Sequence, residues 1–338
     1  MMIMRGWRVV AIAVTLLVAC GDDRKAPAVA DAASPHPDAG RTVVERGRYI
    51  MNNLGVCTFC HTPLNPDGTR DLTRLFAGVD CFIDIDPGTP NFGCISTRNL
   101  TNDATGLKNA TDTQIKNAFL NGMRTDGKAI APVMPYYIFH NMTNEDADAI
   151  VAYLRTVPGV NHTVQPNEEP WASINNGGMP APPITDAQIP AAAAGNASAA
   201  RGRYLSAKVG LCIECHTPMA APTNPVPIDM TRPFAGGRVF FASDLGVQSP
   251  PYPAMINVRN ITPDATGIAG FSTTDIIHAV ADGKDKMGNA VCAGTHGSGI
   301  SPYAALDKRD LADIAEYIHG LPPIVNDTSP NCAGPPVP

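Results

Sequence analysis

The stretch Cys57-Thr58-Phe59-Cys60-His61-Thr62-Pro63 occurs a second time as Cys212-Ile213-Glu214-Cys215-His216-Thr217-Pro218. In each copy a Gly-Arg-Tyr segment begins ten residues before the first cysteine, at Gly47 and at Gly202. Two further matches follow in the same order: Phe76-Ala77-Gly78 with Phe234-Ala235-Gly236, and residues 98–106 with residues 259–267. Repetition in a constant order is the signature of internal duplication. The sequence therefore predicts two copies of one domain.

Each copy contains three stretches with helical patterns. The first helix is predicted over about 43–54 and about 199–209, directly before the cysteine motif. The second begins at a capping residue, Thr111 or Ser272, and ends at Gly122 or Gly283. The last has apolar residues at i, i+3, i+4 and i+7, which are Ala147, Ile150, Val151 and Leu154 in one copy and Leu311, Ile314, Ala315 and Ile318 in the other. Because no alternating strand pattern competes, we expect an all-α fold of two tandem domains, each with about three main helices and long loops.

The N-terminal segment has the features of an export signal. Arg5 and Arg8 precede an apolar run at residues 9–18, which is shorter than the ~20 residues of a membrane-spanning helix. The tetrad Leu17-Val18-Ala19-Cys20 is similar to a bacterial lipobox, in which Cys20 becomes a lipidated N-terminus. An ordinary cleaved signal is the alternative. We expect a lipoprotein anchored through Cys20 on the periplasmic side of a bacterial membrane, with the choice of inner or outer membrane left open.

Composition divides the chain into six segments. They are a signal peptide at 1–19, a disordered tether at 20–41, a first domain at 42–160, a proline-rich linker at 161–198, a second domain at 199–326 and a C-terminal tail at 327–338. With 30 Gly and 32 Pro residues, the chain is too rich in loops for a coiled coil or a membrane bundle. The formal net charge is −6. An acidic chain binds nucleic acid poorly, so we expect no nucleic-acid partner.

Cys-x-x-Cys-His is the attachment signal for c-type haem, because its thiols bind the porphyrin and its histidine can ligate the iron. A zinc site requires further Cys or His pairs, and a thioredoxin-like site requires a βαβ setting. The sequence offers neither, and a disulfide across so short a spacing would be strained. Two covalently attached haem c groups are therefore predicted. Their anchoring cysteines and proximal histidines are Cys57, Cys60 and His61, and Cys212, Cys215 and His216.

The second iron ligand decides whether a haem only carries electrons or also reacts. In the first copy Met134 lies in a loop before the last helix, where it can reach the haem, and Met123 and Met142 are the alternatives. In the second copy His296 is the predicted ligand, with Met287 or an open iron as alternatives. A methionine ligand raises the potential of the iron, so the bis-histidine haem should have the lower potential. We expect electrons to run from the second haem to the first.

These motifs resemble those of tandem class I cytochromes c, and more closely those of the cytochrome c subunits of bacterial membrane-bound alcohol and sugar-acid dehydrogenases. The resemblance covers about residues 42–160 and 199–324. It implies a class I fold, electron carriage and a crossing of the first and last helices, with Gly47 against Tyr153 and Gly202 against Tyr317. It also implies that a set of polar residues binds the haem propionates: Arg98, Asn99, Thr101, Arg259, Asn260 and Thr262.

Four of the nine cysteines are left after lipidation and haem attachment: Cys81, Cys94, Cys292 and Cys332. In an oxidising periplasm, four cysteines favour two disulfides. Three pairings are possible, and pairing within each copy selects Cys81 with Cys94 and Cys292 with Cys332. The second bond would tie the C-terminal tail to the loop of His296. An alternative is that Cys292 itself approaches the iron.

The leading functional interpretation is a non-enzymatic electron carrier. It would accept electrons from a dehydrogenase or a quinol-oxidising complex and pass them to an oxidase or a soluble cytochrome. The rival interpretation is a dihaem enzyme of the peroxidase or thiosulfate-oxidising type. Peroxidase chemistry needs an iron with an open or releasable position and acid–base groups beside it. Because both irons are predicted to have two protein ligands, the sequence favours the carrier.

Overall fold

A computed structural model of the chain describes residues 40–86, 88–221, 223–241, 253–292, 296 and 302–336. The expected signal peptide, Cys20 and almost all of the expected tether lie outside these residues. In the described part of the chain, no helix is long and apolar enough to cross a membrane. The described residues belong to one compact unit that begins at residue 34.

The helices of the first half begin where capping residues predict them. They are α1 (Val43–Tyr49), α2 (Cys57–His61), α3 (Asp112–Asn121), α4 (Tyr136–Phe139) and α5 (Asn144–Leu154). The first helix continues through a π-helical turn, Ile50–Leu54, to the cysteine motif. Thr42 and Glu45 form a capping box at α1, and Thr111 and Gln114 form one at α3. The three helices predicted for this half are confirmed.

The linker and the second half contain a further set of helices. They are α6 (Trp171–Gly177), α7 (Ala197–Tyr204), α8 (Cys212–Cys215), α9 (Thr273–Ala281) and α10 (Lys308–His319). Helix α7 again continues through a π-helical turn, Leu205–Val209, and α9 begins at a capping box of Ser272 with Asp275. Short 3-10 turns connect the elements at Leu72–Arg74, Asp186–Gln188 and Pro302–Ala305. The second half thus repeats the helix order of the first.

In both halves the helix before the cysteine motif crosses the last helix at a glycine. A β-carbon added to Gly47 would lie 2.9 Å from Cβ of Tyr153, and one added to Gly202 would lie 2.9 Å from Cβ of Tyr317. Carbon atoms pack at about 3.5–4.0 Å, so a larger residue would push the helices apart. The contacts expected for these two glycines are confirmed.

The expected all-α class was wrong, because two small antiparallel sheets accompany the helices. In one sheet β1 (Val79–Asp84) pairs with β2 (Cys94–Thr97). In the other, β4 (Pro253–Asn257) pairs with both β3 (Val239–Phe241) and β5 (Cys332–Pro336). The residues of β1 do not alternate between buried and exposed, so the period of two that marks a strand in sequence is missing. Strands this short are stable only because a partner strand and the protein body support them.

A disulfide accompanies each sheet. The structure bonds Cys81 to Cys94 across β1 and β2, and Cys292 to Cys332 at the start of β5. These are the pairs that the sequence led us to expect. The second bond joins the C-terminal strand to the segment that precedes His296.

One hydrophobic core runs through both halves. Its fully buried members include Ile50 and Leu54 from the first half and Leu205 and Ile213 from the second. The π-helical turns that precede both cysteine motifs therefore contribute to the same interior.

Two tyrosines link the halves in a reciprocal way. The hydroxyl of Tyr49 donates to Oδ2 of Asp310 at 2.7 Å, and that of Tyr204 donates to Oδ2 of Asp146 at 2.6 Å. The tyrosines occupy equivalent positions in the two repeats, and so do the aspartates. Each half thus donates one tyrosine hydrogen bond to the last helix of the other half.

The linker packs against the protein along its length. Nε1 of Trp171 donates to the carbonyl oxygen of Gly93 at 2.8 Å in the first half. Nε of Arg203 in the second half donates to the carbonyl oxygen of Pro190 at 2.9 Å. The linker is therefore held by both halves, and its helix α6 was not expected from its proline-rich composition.

Candidate haem-attachment sites

Each cysteine motif folds as a short helix, α2 or α8, after a π-helical turn. Its cysteines, Cys57 and Cys60 or Cys212 and Cys215, are not disulfide-bonded and are partly buried. Burial raises the pKa of the Cys57, Cys60 and Cys212 thiols to about 12 and holds the pKa of Cys215 well above its usual value. Cysteines of dithiol redox sites have lowered pKa values instead. The environment of these thiols fits covalent attachment better than thiolate chemistry.

The two motif histidines have the same hydrogen bond. Nδ1 of His61 lies 2.8 Å from the carbonyl oxygen of Arg98, and Nδ1 of His216 lies 2.8 Å from that of Arg259. Burial lowers the pKa of both histidines, so each imidazole is neutral near pH 7. A neutral imidazole that donates through Nδ1 presents Nε2 to a metal. Both residues therefore fit the predicted role of proximal iron ligand.

The threonine after each histidine fixes the loop that follows it. Oγ1 of Thr62 accepts a hydrogen bond from the backbone N–H of Phe76 at 3.1 Å, and Oγ1 of Thr217 does the same for Phe234 at 3.1 Å. Both phenylalanines are fully buried with positive φ, 61° and 63°, which non-glycine residues rarely adopt. Such a conformation persists only where the surroundings enforce it. The His-Thr and Phe-Ala-Gly motifs therefore form one structural unit in each half.

The predicted distal histidine lies close to the proximal one in the second half. The rings of His216 and His296 have centroids 6.1 Å apart and planes 20° from parallel. An imidazole nitrogen binds a metal in the plane of its ring through a bond of about 2.0–2.1 Å, so two rings that share one ion have their centres about 6 Å apart. Nδ1 of His296 is shielded from solvent and has no hydrogen-bond partner among the described residues. Burial lowers the pKa of His296 to about 3, so the ring is neutral near pH 7, and its ligation of the second haem stays a prediction.

The alternatives to His296 fit less well. The side chain of Met287 is 75% exposed, which places it at the surface. Cys292 is bonded to Cys332 and has no thiol to offer an iron.

Met134 lies in the turn that precedes α4. Its side chain is partly buried against the hydrophobic core. Its backbone N–H donates to the carbonyl oxygen of Ala131 at 3.1 Å, and its own carbonyl accepts from the N–H of Tyr136 at 2.8 Å. The turn is thus fixed on both sides of the methionine, whose ligation of the first haem stays a prediction.

The predicted propionate-binding amides and hydroxyls bond to the protein itself. Nδ2 of Asn99 donates to the carbonyl oxygen of Val160 at 2.9 Å, and Oγ1 of Thr101 donates to Oδ1 of Asn99 at 2.7 Å. Asn260 and Thr262 make the matching contacts in the second half. All four side chains are buried. They fasten the segment that follows the last helix, and their contact with a propionate stays a prediction.

The two arginines of the predicted propionate sites differ in their surroundings. Burial lowers the pKa of the Arg98 guanidinium, and the nearby Arg124 lowers it further. Arg259 lies with its guanidinium carbon 5.7 Å from the ring centroid of Phe271. A partly buried cation beside another cation is stabilised by an anion, so Arg98 fits the predicted role of charge partner for a propionate.

A structural zinc site does not fit the motifs. Among the described residues, one group of metal-binding side chains lies close enough together to hold an ion: Cys81, Asp84 and Cys94. Its two cysteines are bonded to each other. In the described part of the chain, neither Cys-x-x-Cys-His motif is accompanied by the further ligands that zinc requires.

Comparison with known proteins finds several cytochrome subunits of dehydrogenases. The chain is 29% identical over 316 residues to the alcohol dehydrogenase (quinone) cytochrome c subunit of Gluconacetobacter polyoxogenes, which covers 85% of this chain and 58% of that protein. It is 27% identical over 328 residues to the fructose dehydrogenase cytochrome subunit of Gluconobacter japonicus, covering 92% and 58%. The chain resembles the cytochrome c subunits of dehydrogenases. It is also 30% identical over 197 residues to the gluconate 2-dehydrogenase cytochrome c subunit of Pantoea cypripedii, covering 55% and 41%.

The resemblance inferred from the sequence motifs is thereby confirmed. These three relatives are named as cytochrome subunits of dehydrogenases, in agreement with the expectation of a subunit that is not itself the enzyme. The chain spans 58% of the length of the alcohol and fructose dehydrogenase subunits that it matches. No protein-family model matches the chain.

Sequence reasoning missed one charged pair beside the second motif. Arg238 binds Glu214, which stands between the two cysteines of that motif. The equivalent position of the first motif is Phe59. A carboxylate in one of two otherwise similar motifs was the signal that could have revealed it.

Proposed function

We propose that the chain is a dihaem c-type cytochrome that carries electrons from a dehydrogenase or a quinol-oxidising complex to a terminal acceptor. A covalently attached haem supplies an iron that takes up and releases one electron. The observation that carries the proposal is the close pair of imidazoles, His216 and His296, together with the free cysteines Cys212 and Cys215. The names of the relatives support a dehydrogenase as the electron donor.

The protein side chains have simple roles in this function. The paired cysteines anchor each haem, while backbone carbonyls orient the proximal rings of His61 and His216. Met134 and His296 close the remaining iron positions. Closed positions keep small molecules from the iron and favour electron carriage over chemical reaction.

We further propose that a lipid on Cys20 tethers the protein on the periplasmic side of a bacterial membrane. The support is the lipobox-like tetrad that ends at Cys20. Cell fractionation of the native chain and of Cys20→Ser tests the tether. We expect the native chain in the membrane fraction and the variant in the soluble periplasmic fraction. Recovery of both in the soluble fraction would contradict the tether and leave the haem chemistry unaffected.

The haem proposal is tested by spectroscopy on the purified full chain. A pyridine haemochrome assay should give two covalent haems per chain. Low-temperature EPR of the oxidised protein should give two low-spin signals, and the reduced protein should not bind carbon monoxide. A high-spin iron that binds carbon monoxide would instead favour the dihaem enzyme.

A matched pair of variants tests the distal ligands. His296→Ala should open the second iron and Met134→Ala the first, so that each variant binds one carbon monoxide per chain and loses one low-spin signal. If either variant keeps both signals, that residue is not the ligand.

A further inference from the structure

A buried ion pair lies against the second cysteine motif. Glu214 stands between Cys212 and Cys215, and its side chain is 11% exposed, while that of its partner Arg238 is 17% exposed. Nη1 of Arg238 donates to Oε1 of Glu214 and also to the Glu214 backbone carbonyl, the latter at 3.1 Å. The arginine therefore fixes both the side chain and the backbone of the motif.

The matching place in the first half has an aromatic ring instead of the carboxylate. Phe59 occupies the position of Glu214, and its ring packs edge-to-face on Phe82 with centroids 6.2 Å apart. In the second half the guanidinium carbon of Arg238 lies 4.7 Å from the ring centroid of Phe240. The guanidinium carbon of Arg70 lies 4.6 Å from the ring centroid of Phe59, so both motifs have an arginine beside them and the second motif adds a carboxylate.

The carboxylate reaches the sulfur that would anchor the second haem. The thiol of Cys215 donates to Oε2 of Glu214 at 3.4 Å. The hydroxyl of Tyr137, from the first half, lies 3.5 Å from Oε1 of the same carboxylate. These contacts place the charge of Glu214 beside the second motif, so its effect on the first motif should be smaller.

Both members of the pair are charged where water is largely excluded. Burial disfavours the charged form of Arg238, but Glu214, Cys215 and Tyr137 together hold the arginine pKa above its usual value. Charges in such surroundings act more strongly on a neighbouring group than charges in water do.

We propose that the Glu214–Arg238 pair sets the reduction potential of the second haem site, with Glu214 lowering it and Arg238 offsetting part of that decrease. One-electron reduction lowers the charge of the site by one unit, and no bond changes and no proton moves in this step. A carboxylate therefore disfavours reduction and a guanidinium favours it. Because Oε2 of Glu214 contacts the anchoring sulfur directly, the carboxylate has the larger effect. This inference rests on the proposed haem attachment.

The test is a potentiometric titration of the full chain, with the two sites told apart by their EPR signals. Glu214→Gln keeps the shape of the side chain and removes its charge, so we expect the midpoint potential of the second site to rise and that of the first to rise less. Arg238→Met should lower the potential of the second site. Arg238→Lys keeps the charge and should restore a value near that of the native protein.

Opposite shifts separate an electrostatic role from a structural one. A loss of packing would shift the potential of the second site in the same direction in Glu214→Gln and in Arg238→Met. That result, or an unchanged potential in Glu214→Gln, would overturn the proposal. If Arg238→Met does not fold, the double variant Glu214→Gln/Arg238→Met replaces it, because this variant buries no unpaired charge. Its second site should have a higher potential than that of the native protein, but by less than in Glu214→Gln alone. Phe59→Leu, at the matching position of the first motif, is the control and should leave both potentials in place.

A haem count on each sample separates failure of this inference from failure of the proposed function. Native protein with fewer than two covalent haems contradicts the proposed function and this inference together. If two haems are present but their potentials do not change when the charge of Glu214 or of Arg238 is removed, this inference alone is contradicted.

Discussion

The two halves of the molecule use the same backbone arrangement around motifs that differ in side-chain chemistry. In each half the motif histidine meets a carbonyl oxygen at 2.8 Å, and the next threonine accepts an N–H at 3.1 Å. Beside these shared contacts, the first motif has Phe59 against Phe82 and the second has Glu214 bound to Arg238. The comparison teaches that the same few contacts hold the backbone around both cysteine motifs. The side chains beside the motifs differ, and they give each site its own electrostatics.

The two halves also differ around the residue predicted as the second iron ligand. Met134 lies in a turn that two backbone hydrogen bonds fix, whereas the segment of His296 is joined through Cys292 to the C-terminal strand. The disulfide of the second half spans 40 positions of the sequence, whereas that of the first half spans 13.

The largest expected effect comes from removing one pair of anchoring cysteines at a time. Cys57→Ala/Cys60→Ala and Cys212→Ala/Cys215→Ala should each reduce the haem content from two per chain to one, because the motifs are separate attachment sites. Pyridine haemochrome absorbance and the mass of the intact chain measure this content. Loss of both haems from either double variant would show that the halves do not load independently.

The next effect concerns the buried carboxylates of the last helices. Asp146 accepts two hydrogen bonds from Arg46, at 2.8 and 2.7 Å, and one from Tyr204. Asp310 pairs with Arg201, which also pairs with Asp313. Breaking a buried ion pair costs about 3–5 kcal/mol, so Asp146→Ala should lower the free energy of unfolding by about that amount.

Asp310→Ala should cost less than Asp146→Ala, because Arg201 keeps Asp313 as a partner. Urea denaturation measures both values. Asp148→Ala is the matched control on the same helix as Asp146, since its ion pair with Lys116 is exposed and should contribute less than about 1 kcal/mol. Equal losses for Asp146→Ala and Asp148→Ala would contradict the role of burial.

The helices could be predicted from the sequence because their signals are local. The capping residue Thr111 and its partner Gln114 are three positions apart, and both lie where the pattern indicated. The closeness of His296 to His216 also agrees with the sequence, because aligning the repeats placed His296 within one residue of the position of Met134.

The sheets could not be predicted, and although Glu214 stands out in its motif its partner could not be predicted either, because both depend on distant parts of the chain. β4 pairs with β5 near the C-terminus, and β1 lacks the alternation that would mark it as a strand. Glu214 and Arg238 are 24 positions apart and meet only after the chain has folded. Sequence spacing carries no information about such contacts.

A smaller effect tests the symmetry of the tyrosine links. The hydroxyl of Tyr49 donates to Asp310 and accepts from the N–H of Asp307 at 3.1 Å, and that of Tyr204 donates to Asp146 and accepts from the N–H of Thr143 at 3.2 Å. A hydrogen bond to a charged group contributes about 1.5–3 kcal/mol, so each Tyr→Phe change should lower the free energy of unfolding by about that much.

Equal losses in the two Tyr→Phe variants would support a reciprocal interface. A difference of more than about 1 kcal/mol between the variants, measured by urea denaturation, would show that the two links are not equivalent despite their matching geometry.

The smallest effect concerns Asp186, through which the linker binds the second half. Its carboxylate accepts hydrogen bonds from Arg203 and Lys208, both at 2.8 Å, and these lower its pKa to about 2. Because the folded pKa lies below the unfolded value, the carboxylate stabilises the native state above about pH 4 and loses that contribution as the pH falls toward 2. With 62% of the side chain exposed, the contribution should stay below about 1 kcal/mol.

Asp186→Asn should therefore be less stable than the native protein at pH 7, and about half of that difference should be lost at pH 3, where the unfolded carboxyl is already protonated. Urea denaturation at the two pH values measures the change. The amide keeps the shape of the carboxylate and does not titrate, so a difference that stays the same from pH 7 to pH 3 would mean that the charge of Asp186 does not stabilise the linker. In that case the linker would be held to the second half by its backbone contacts, such as that of Pro190 with Arg203, and not by its ion pairs.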